Sequence, residues 1–205
     1  MFNPLVTLDK NLRPVPNRAE TWTLSDDRQQ LVFKLRQGVT FHSGRPLTAD
    51  AVKWNIERAQ DPKNQSAVGG ELNGVQARAV DDKTLELTLP DPSFPQIFSL
   101  LANVLIADPQ SDIAQGAAGT GAFKLEALDP GNTLRLVRNP NYWRPDRPLL
   151  DEVTFNTFGD PQAAVAALEA GTASIIPCPA TDFQRLKAGT ATTAIDRVHR
   201  VVTSS

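Results

Sequence analysis

Residues 35–52, Leu35-Arg-Gln-Gly-Val-Thr-Phe-His-Ser-Gly-Arg-Pro-Leu-Thr-Ala-Asp-Ala-Val52, decide how this chain folds. A strand ends at Leu35. Gly38 and Gly44 give the backbone the freedom of a tight loop, Pro46 fixes one φ, and Thr48 stands where a side-chain oxygen can cap a helix. Val52, Ile56 and Ala59 then recur at helical spacing, which predicts a helix ending near Asp61-Pro62. Ala51, three residues after Thr48, occupies the place where an acidic side chain would complete a capping box, a difference of about 0.5–1 kcal/mol.

Working outward, the pieces on either side read mostly as strands joined by turns, punctuated by 16 prolines and 12 glycines. Residues 20–24 and 30–35 flank Ser25-Asp-Asp-Arg28, whose short polar side chains bond the local backbone and favour a hairpin turn. Residues 74–80 and 84–89 repeat the pattern around Asp81-Asp-Lys83, with Leu85, Leu87 and Leu89 alternating as a half-buried strand requires. Residues 121–127 and 133–138 form a third pair, turning at Asp129-Pro-Gly131. Helices are predicted over 94–102, over 160–170 with Asp160 as cap, Pro161 at the first position and Gly171 as stop, and over 181–188. Residues 189–205 have no clear period before Val198, Val201 and Val202 and read as a strand or a tail.

Composition excludes several classes of function. With a net charge of -2 and interleaved acids and bases, the chain has no cationic face for a phosphate backbone, so nucleic acid is not expected as a partner. The most apolar run, residues 98–106, is far short of the roughly 20 residues a bilayer requires. Met1-Phe-Asn-Pro lacks a basic and then apolar leader, so no export signal is expected in the sequence as it stands. The single Cys178 excludes an internal disulfide without fixing the compartment.

The residues that carry chemistry elsewhere have plainer readings here. His42 in the Phe41-His-Ser-Gly44 turn is expected to bond neighbouring backbone, and with His199 and Cys178 it makes no zinc spacing. Cys178 between two prolines is a small apolar filler. Asp26-Asp27 and Asp81-Asp82 fall on hairpin tips rather than in a hydrolase pair. Gly119-Thr-Gly121 lacks the further glycine and the Lys-Ser/Thr of a phosphate loop. Trp22 is expected in the core, with Trp54 and Trp143 as packing residues. No nucleophile, base and orienting group come at recognisable spacings, so catalysis, metal sites and cofactors are not expected.

Six segments in order resemble the bacterial extracellular solute-binding proteins of family 5, the peptide and nickel type that serves ABC importers. They are Phe2-Asn-Pro-Leu-Val-Thr-Leu8, Asn17-Arg-Ala-Glu-Thr-Trp22, residues 35–52, Gly119-Thr-Gly-Ala-Phe-Lys-Leu125, Arg138-Asn-Pro-Asn-Tyr-Trp143 and Leu168-Glu-Ala-Gly-Thr-Ala-Ser-Ile175. The second is similar to the family's Pro-x-Leu-Ala-Glu-Ser-Trp. Ser43 and Ser174 stand where an Asp is usual. Family members run to more than twice this length.

The resemblance implies an α+β fold (mixed α/β), a periplasmic-binding-protein-like class II N-terminal lobe with antiparallel and mixed β-sheets and a few flanking helices. Residues 1–190 would form that lobe, with 35–140 as a hairpin-rich subdomain, 191–205 as a tail or truncated hinge strand, and the second lobe absent. It implies non-catalytic capture of a small peptide or similar solute, delivery to an ABC permease, a periplasmic location without membrane insertion, and no cofactor. By position, Phe2, Asn3, Gly119, Thr120 and Gly121 would face the ligand. The alternative is an interaction module that self-associates through the exposed lobe face and no longer binds solute.

Overall fold

In the computed structural model, residues 1–94, 96–112, 116, 118–187, 193–195 and 200–202 are described. Short strands β1 (Asn3–Pro4), β2 (Val6–Leu8) and β3 (Pro14–Pro16) lead into the hairpin of β4 (Ala19–Leu24) and β5 (Gln30–Leu35). Helix α1 (Ala49–Gln60), the hairpin of β6 (Gln76–Asp81) and β7 (Thr84–Thr88), helix α2 (Ile97–Leu101) and β8 (Leu105–Ile106) follow. Beyond them lie β9 (Phe123–Asp129), β10 (Thr133–Arg138), β11 (Glu152–Asn156), α3 (Pro161–Glu169), β12 (Ile175–Ile176), α4 (Ala180–Lys187), β13 (Thr193–Ile195) and β14 (Arg200–Val202). The sheets are β4-β5-β7-β6, β11-β10-β9, β12-β14-β13 and the pairs β1-β8 and β2-β3, so the fold is mixed helix and strand.

Compact contacts divide the chain into residues 1–128 with 135–154, and residues 129–134 with 155–205. The first unit is organised by period-2 burial. Leu31, Phe33 and Leu35 of β5 and Leu85 and Leu87 of β7 alternate onto one face, where Val52 and Ile56 of α1 join them in the core. The antiparallel register sets Phe33 opposite Leu85 and Leu31 opposite Leu87, placing large apolar side chains side by side. In the second unit, Ala164, Val165 and Leu168 of α3 meet Ile176 and Leu186.

The turn chemistry follows the sequence closely. Asp27, Asp81 and Asp129 each bond backbone or side chains within their own hairpin turns, and Gly131 takes φ +84° after Pro130. Asp160 caps α3 through the Gln162 N–H at 2.8 Å, and Gly171 adopts φ +71° just beyond it. Two expectations are corrected. The helix predicted over 94–102 is confined to Ile97–Leu101, because Asp91 first binds the Ser93 N–H and closes a separate turn at Phe94. Trp22 is half-buried, because β4 is an edge strand and the indole packs on Phe33 and Phe98 at the sheet's margin, 6.2 and 5.5 Å between ring centres. Of the helix predicted over 181–188, Ala188 lies outside the described residues, as do His199 and parts of 189–205; β13 and β14 come from that last stretch.

Thr48 caps α1 as expected, accepting the Ala51 N–H at 3.2 Å. Ala51 itself is 7% exposed and packs into the core, so an acidic side chain there would bury a carboxylate rather than complete a cap. Thr48→Ala is therefore expected to lower unfolding free energy by about 1 kcal/mol. Ala51→Glu should destabilise by about 1–3 kcal/mol, both read by urea denaturation, instead of stabilising as a capping-box completion would.

Candidate functional site

The residues expected to face a ligand come together around one that the sequence reading passed over. Arg18 is completely buried immediately before β4. Its Nε–H donates to Thr120 Oγ1 at 2.7 Å, one terminal nitrogen donates to Asn3 Oδ1 at 2.7 Å and to the Thr120 carbonyl at 2.5 Å, and the other donates to Asn17 Oδ1 at 3.1 Å. Every one of these acceptors is neutral. Among the described residues no carboxylate pairs with Arg18. Burial lowers its pKa to about 10, with Tyr142 acting in the opposite sense and the charges of Arg36 and Arg144 adding to the fall.

Aromatic rings close the other side. The guanidinium sits 5.7 Å from the Tyr142 ring centre and 5.8 Å from that of Trp143, while Arg36 and Arg144 approach Trp143 to 4.2 and 4.6 Å. Arg36 has an acidic partner, Glu20 at 3.3 Å. The buried indole Nε1–H of Trp143 has no hydrogen-bond partner among the described residues. The cluster is thus distinctly cationic, three guanidinium groups against one exposed carboxylate.

Segments 1–3 and 119–121 are joined through backbone. The Gly121 N–H donates to the Met1 carbonyl at 2.7 Å, and a methyl group on Gly119 or Gly121 would run into that same oxygen, which is why glycine is needed at both positions. Asn3 and Pro4 pair with Ile106 and Leu105 of β8, and Ala107 bridges Gly119. Phe2 and Asn3 are half-buried, and Thr120 is 1% exposed. Helix α1 anchors this corner through Asn55, whose amide holds both the carbonyl and the N–H of Ala107 at 2.7 and 2.9 Å.

His42 locks the loop from outside, as its backbone-bonding reading anticipated. Its N–H donates to Gly119 O at 2.8 Å, its Nδ1 accepts the Gly119 N–H at 3.3 Å, and Nε2, which then carries the proton, donates to Gly121 O at 3.0 Å. Asn139 adds a second donor to Gly121 O at 3.1 Å. Beside it, Asp108 is 1% exposed and collects Ser43 Oγ at 2.6 Å and Arg45 at 2.8–2.9 Å. Burial pushes the Asp108 carboxyl up, but the bonds from Ser43, Arg45 and Gln110 outweigh it and hold it below the usual range. An Asp at position 43 would set a second carboxylate against Asp108, so serine fits this loop.

The sequence reading missed Arg18, Asn55, Asp108 and Asn139. Only Arg18 left a trace: it stands where the resembling motif has leucine, a charge at a position built for burial. Among the described residues no three or more His, Cys, Asp or Glu side chains gather as a metal site, and no helix is long and apolar enough to cross a membrane.

Burial lowers the His42 pKa below 6.5, partly opposed by its bond to Gly121 and reinforced by Lys124 and Arg18. The folded state therefore resists protonation more than the unfolded chain, so this contribution is complete above the unfolded value and is lost as pH falls from 6.5 toward the lowered folded value. The thermal midpoint should drop between pH 7 and 5, and His42→Gln should flatten that slope.

The chain is matched over residues 13–203 by the family model for bacterial extracellular solute-binding proteins, family 5 middle. It is 31% identical over 193 residues to the glutathione-binding protein GsiB of Escherichia coli and 30% identical over 192 residues to that of Shigella boydii, covering 87% of this chain and 36% of each relative. Among solved structures it resembles the nickel ABC transporter protein of Bacillus halodurans, with a TM-score of 0.82, 35% identity, and coverage of 94% of this chain and 40% of that one. It also resembles the binding protein AgaA of A. tumefaciens in complex with agropinic acid, with a TM-score of 0.85, 28% identity, and coverage of 94% and 41%. The chain thus spans well under half the length of these proteins, and nothing in these likenesses supports the alternative of a self-associating module. This chain belongs to the family 5 bacterial extracellular solute-binding proteins, of the periplasmic-binding-protein-like fold.

Proposed function

We propose that this chain forms the N-terminal lobe, residues 1–190, of a periplasmic solute-binding protein that delivers a small peptide or similar solute to an ABC permease. Residues 35–140 are its hairpin-rich subdomain and 191–205 lead toward a hinge. It captures solute without covalent chemistry, by closing polar and aromatic groups around it. Phe2 and Asn3, half-buried, meet the solute at the edge of the capture site, and the buried Gly119, Thr120 and Gly121 support them from within.

The observation that carries this reading is the joining of segment 1–3 and loop 119–121, remote in sequence, into one corner with Asn3 and Phe2 half-buried at its edge. Nucleophile, base and orienting group do not converge there, and His42 spends both ring nitrogens on backbone. That arrangement suits recognition rather than turnover.

Isothermal titration against di- and tripeptides, glutathione and nickel-histidine should give a dissociation constant on the order of micromolar for at least one class, about -8 kcal/mol. Phe2→Ala should weaken that ligand roughly 10-fold. A folded protein that gives no heat with any of them would end the proposal.

A further inference from the structure

Arg18 poses a charge problem that the fold leaves open. A buried guanidinium is ordinarily neutralised by a carboxylate, since the cost of removing it from water is several kcal/mol by general experience with buried ions. Elsewhere this chain follows that rule: buried Asp108 has Arg45 against it at 2.8 Å. Around Arg18 stand the amide oxygens of Asn3 and Asn17, the Thr120 hydroxyl and carbonyl, and the Tyr142 phenol, which favours its charge, but among the described residues no carboxylate. Arg36 and Arg144 stand nearby and disfavour its charge further.

Of the groups covering Arg18, Asn3 is the replaceable one. It is half-buried, it lies on a two-residue strand paired only with the two residues of β8, and its contact to Arg18 is through a neutral amide oxygen. A carboxylate entering at that point would exchange one neutral acceptor for a charged one, forming bonds about twice as strong as the neutral kind. Thr120 Oγ1 would remain on Nε and keep the guanidinium plane fixed. Trp143, with its unpartnered buried Nε1–H, lies beside the same guanidinium and offers one more donor to an anion.

We propose that Arg18 is the anchor for an anionic solute, binding a ligand carboxylate in place of the Asn3 side chain and so restricting the captured solutes to carboxylate-bearing ones. This rests on the solute-capture reading above and adds the ligand's chemical class to it. The carboxylate is that of a free solute. A side-chain carboxylate supplied by another stretch of polypeptide is the competing source, and it would leave Arg18 indifferent to the solute's charge.

The test compares each of two probes with its own uncharged form: Ala-Ala-Ala with its C-terminal amide, and glutathione with its diethyl ester, titrated calorimetrically and by tryptophan fluorescence. At least one free acid should bind about 30-fold or more tightly than its neutral partner, as expected for a charge-assisted pair in a buried site. Arg18→Gln, which keeps a hydrogen-bond donor but removes the charge, should bring that ratio to within about 3-fold. Equal affinities of acid and neutral form in the unaltered protein would overturn the anchor and leave solute capture standing, as would a ratio that survives Arg18→Gln. Absence of heat with these probes and with the whole peptide and nickel-histidine series would overturn capture itself, and the anchor with it. The acid-to-neutral ratio in the unaltered protein decides the matter even if the variant does not fold.

Discussion

The face of β5 and β7 that carries Leu31, Phe33, Leu35, Leu85 and Leu87 must leave water, and the rest of the first unit is arranged by how that is done. Each of these side chains contributes roughly 1.5–3 kcal/mol when fully buried, so together they outweigh any single polar contact described above. Covering them requires α1 to lie on the sheet, and α1 can do so only if the chain between Leu35 and Thr48 reverses compactly. That is what Gly38 at φ +70° and Gly44 at φ +87° permit. The Leu47 N–H then bonds Val39 O, and the Ala49 N–H bonds Asp82 O, fixing the helix start against the β6–β7 turn.

The candidate site is a consequence of that packing. With α1 in place, buried Asn55 presents its amide to Ala107, which fixes the strand bearing β8 and, through the bridge to Gly119, the 119–121 loop. The same reversal of residues 36–47 carries His42 to the outer side of the loop and Ser43 and Arg45 to Asp108. Helix, crossover and loop are therefore coupled by buried polar contacts, each of which would cost about 1–3 kcal/mol if left with one partner missing. A site positioned this way is held by the scaffold rather than by its own loops.

What could be read in the sequence was local. Thr48 with Val52, Ile56 and Ala59, the three hairpin turns, and Asp160-Pro161 before an Ala-rich run each state their structure within a few residues, because caps, turns and periods act over that distance. Even these signals were imperfect where two local devices competed, as when the Asp91 turn took the residues that helix α2 would otherwise have used. Ala51 misled for a different reason: its cap position was visible, its burial was not. Arg18 and Thr120 are 102 residues apart, and no period or cap relates them. The expected ligand-facing residues came from resemblance, which supplied Asn3 and Thr120 but placed a leucine where their common partner stands.

Two buried charges in one unit are treated differently, and the contrast bears on what each is for. Asp108 is paired, triply hydrogen-bonded and tied to Ser43, Arg45 and Gln110, all within the loops it joins, so its electrostatic attraction is already satisfied and its role is to hold segments together. Arg18 is hydrogen-bonded equally well, yet only to dipoles, with aromatic faces against its plane. Dipoles satisfy the geometry of a guanidinium without cancelling its charge. An interior that keeps a cation in that condition, beside Arg36 and Arg144, retains a field that an incoming anion can lower and a neutral molecule cannot. Leucine in that space would desolvate no charge but would leave Thr120, Asn3 and Asn17 without their common partner, so the arginine ties these segments together and, on the proposal above, also offers an incoming anion a charge to pair with.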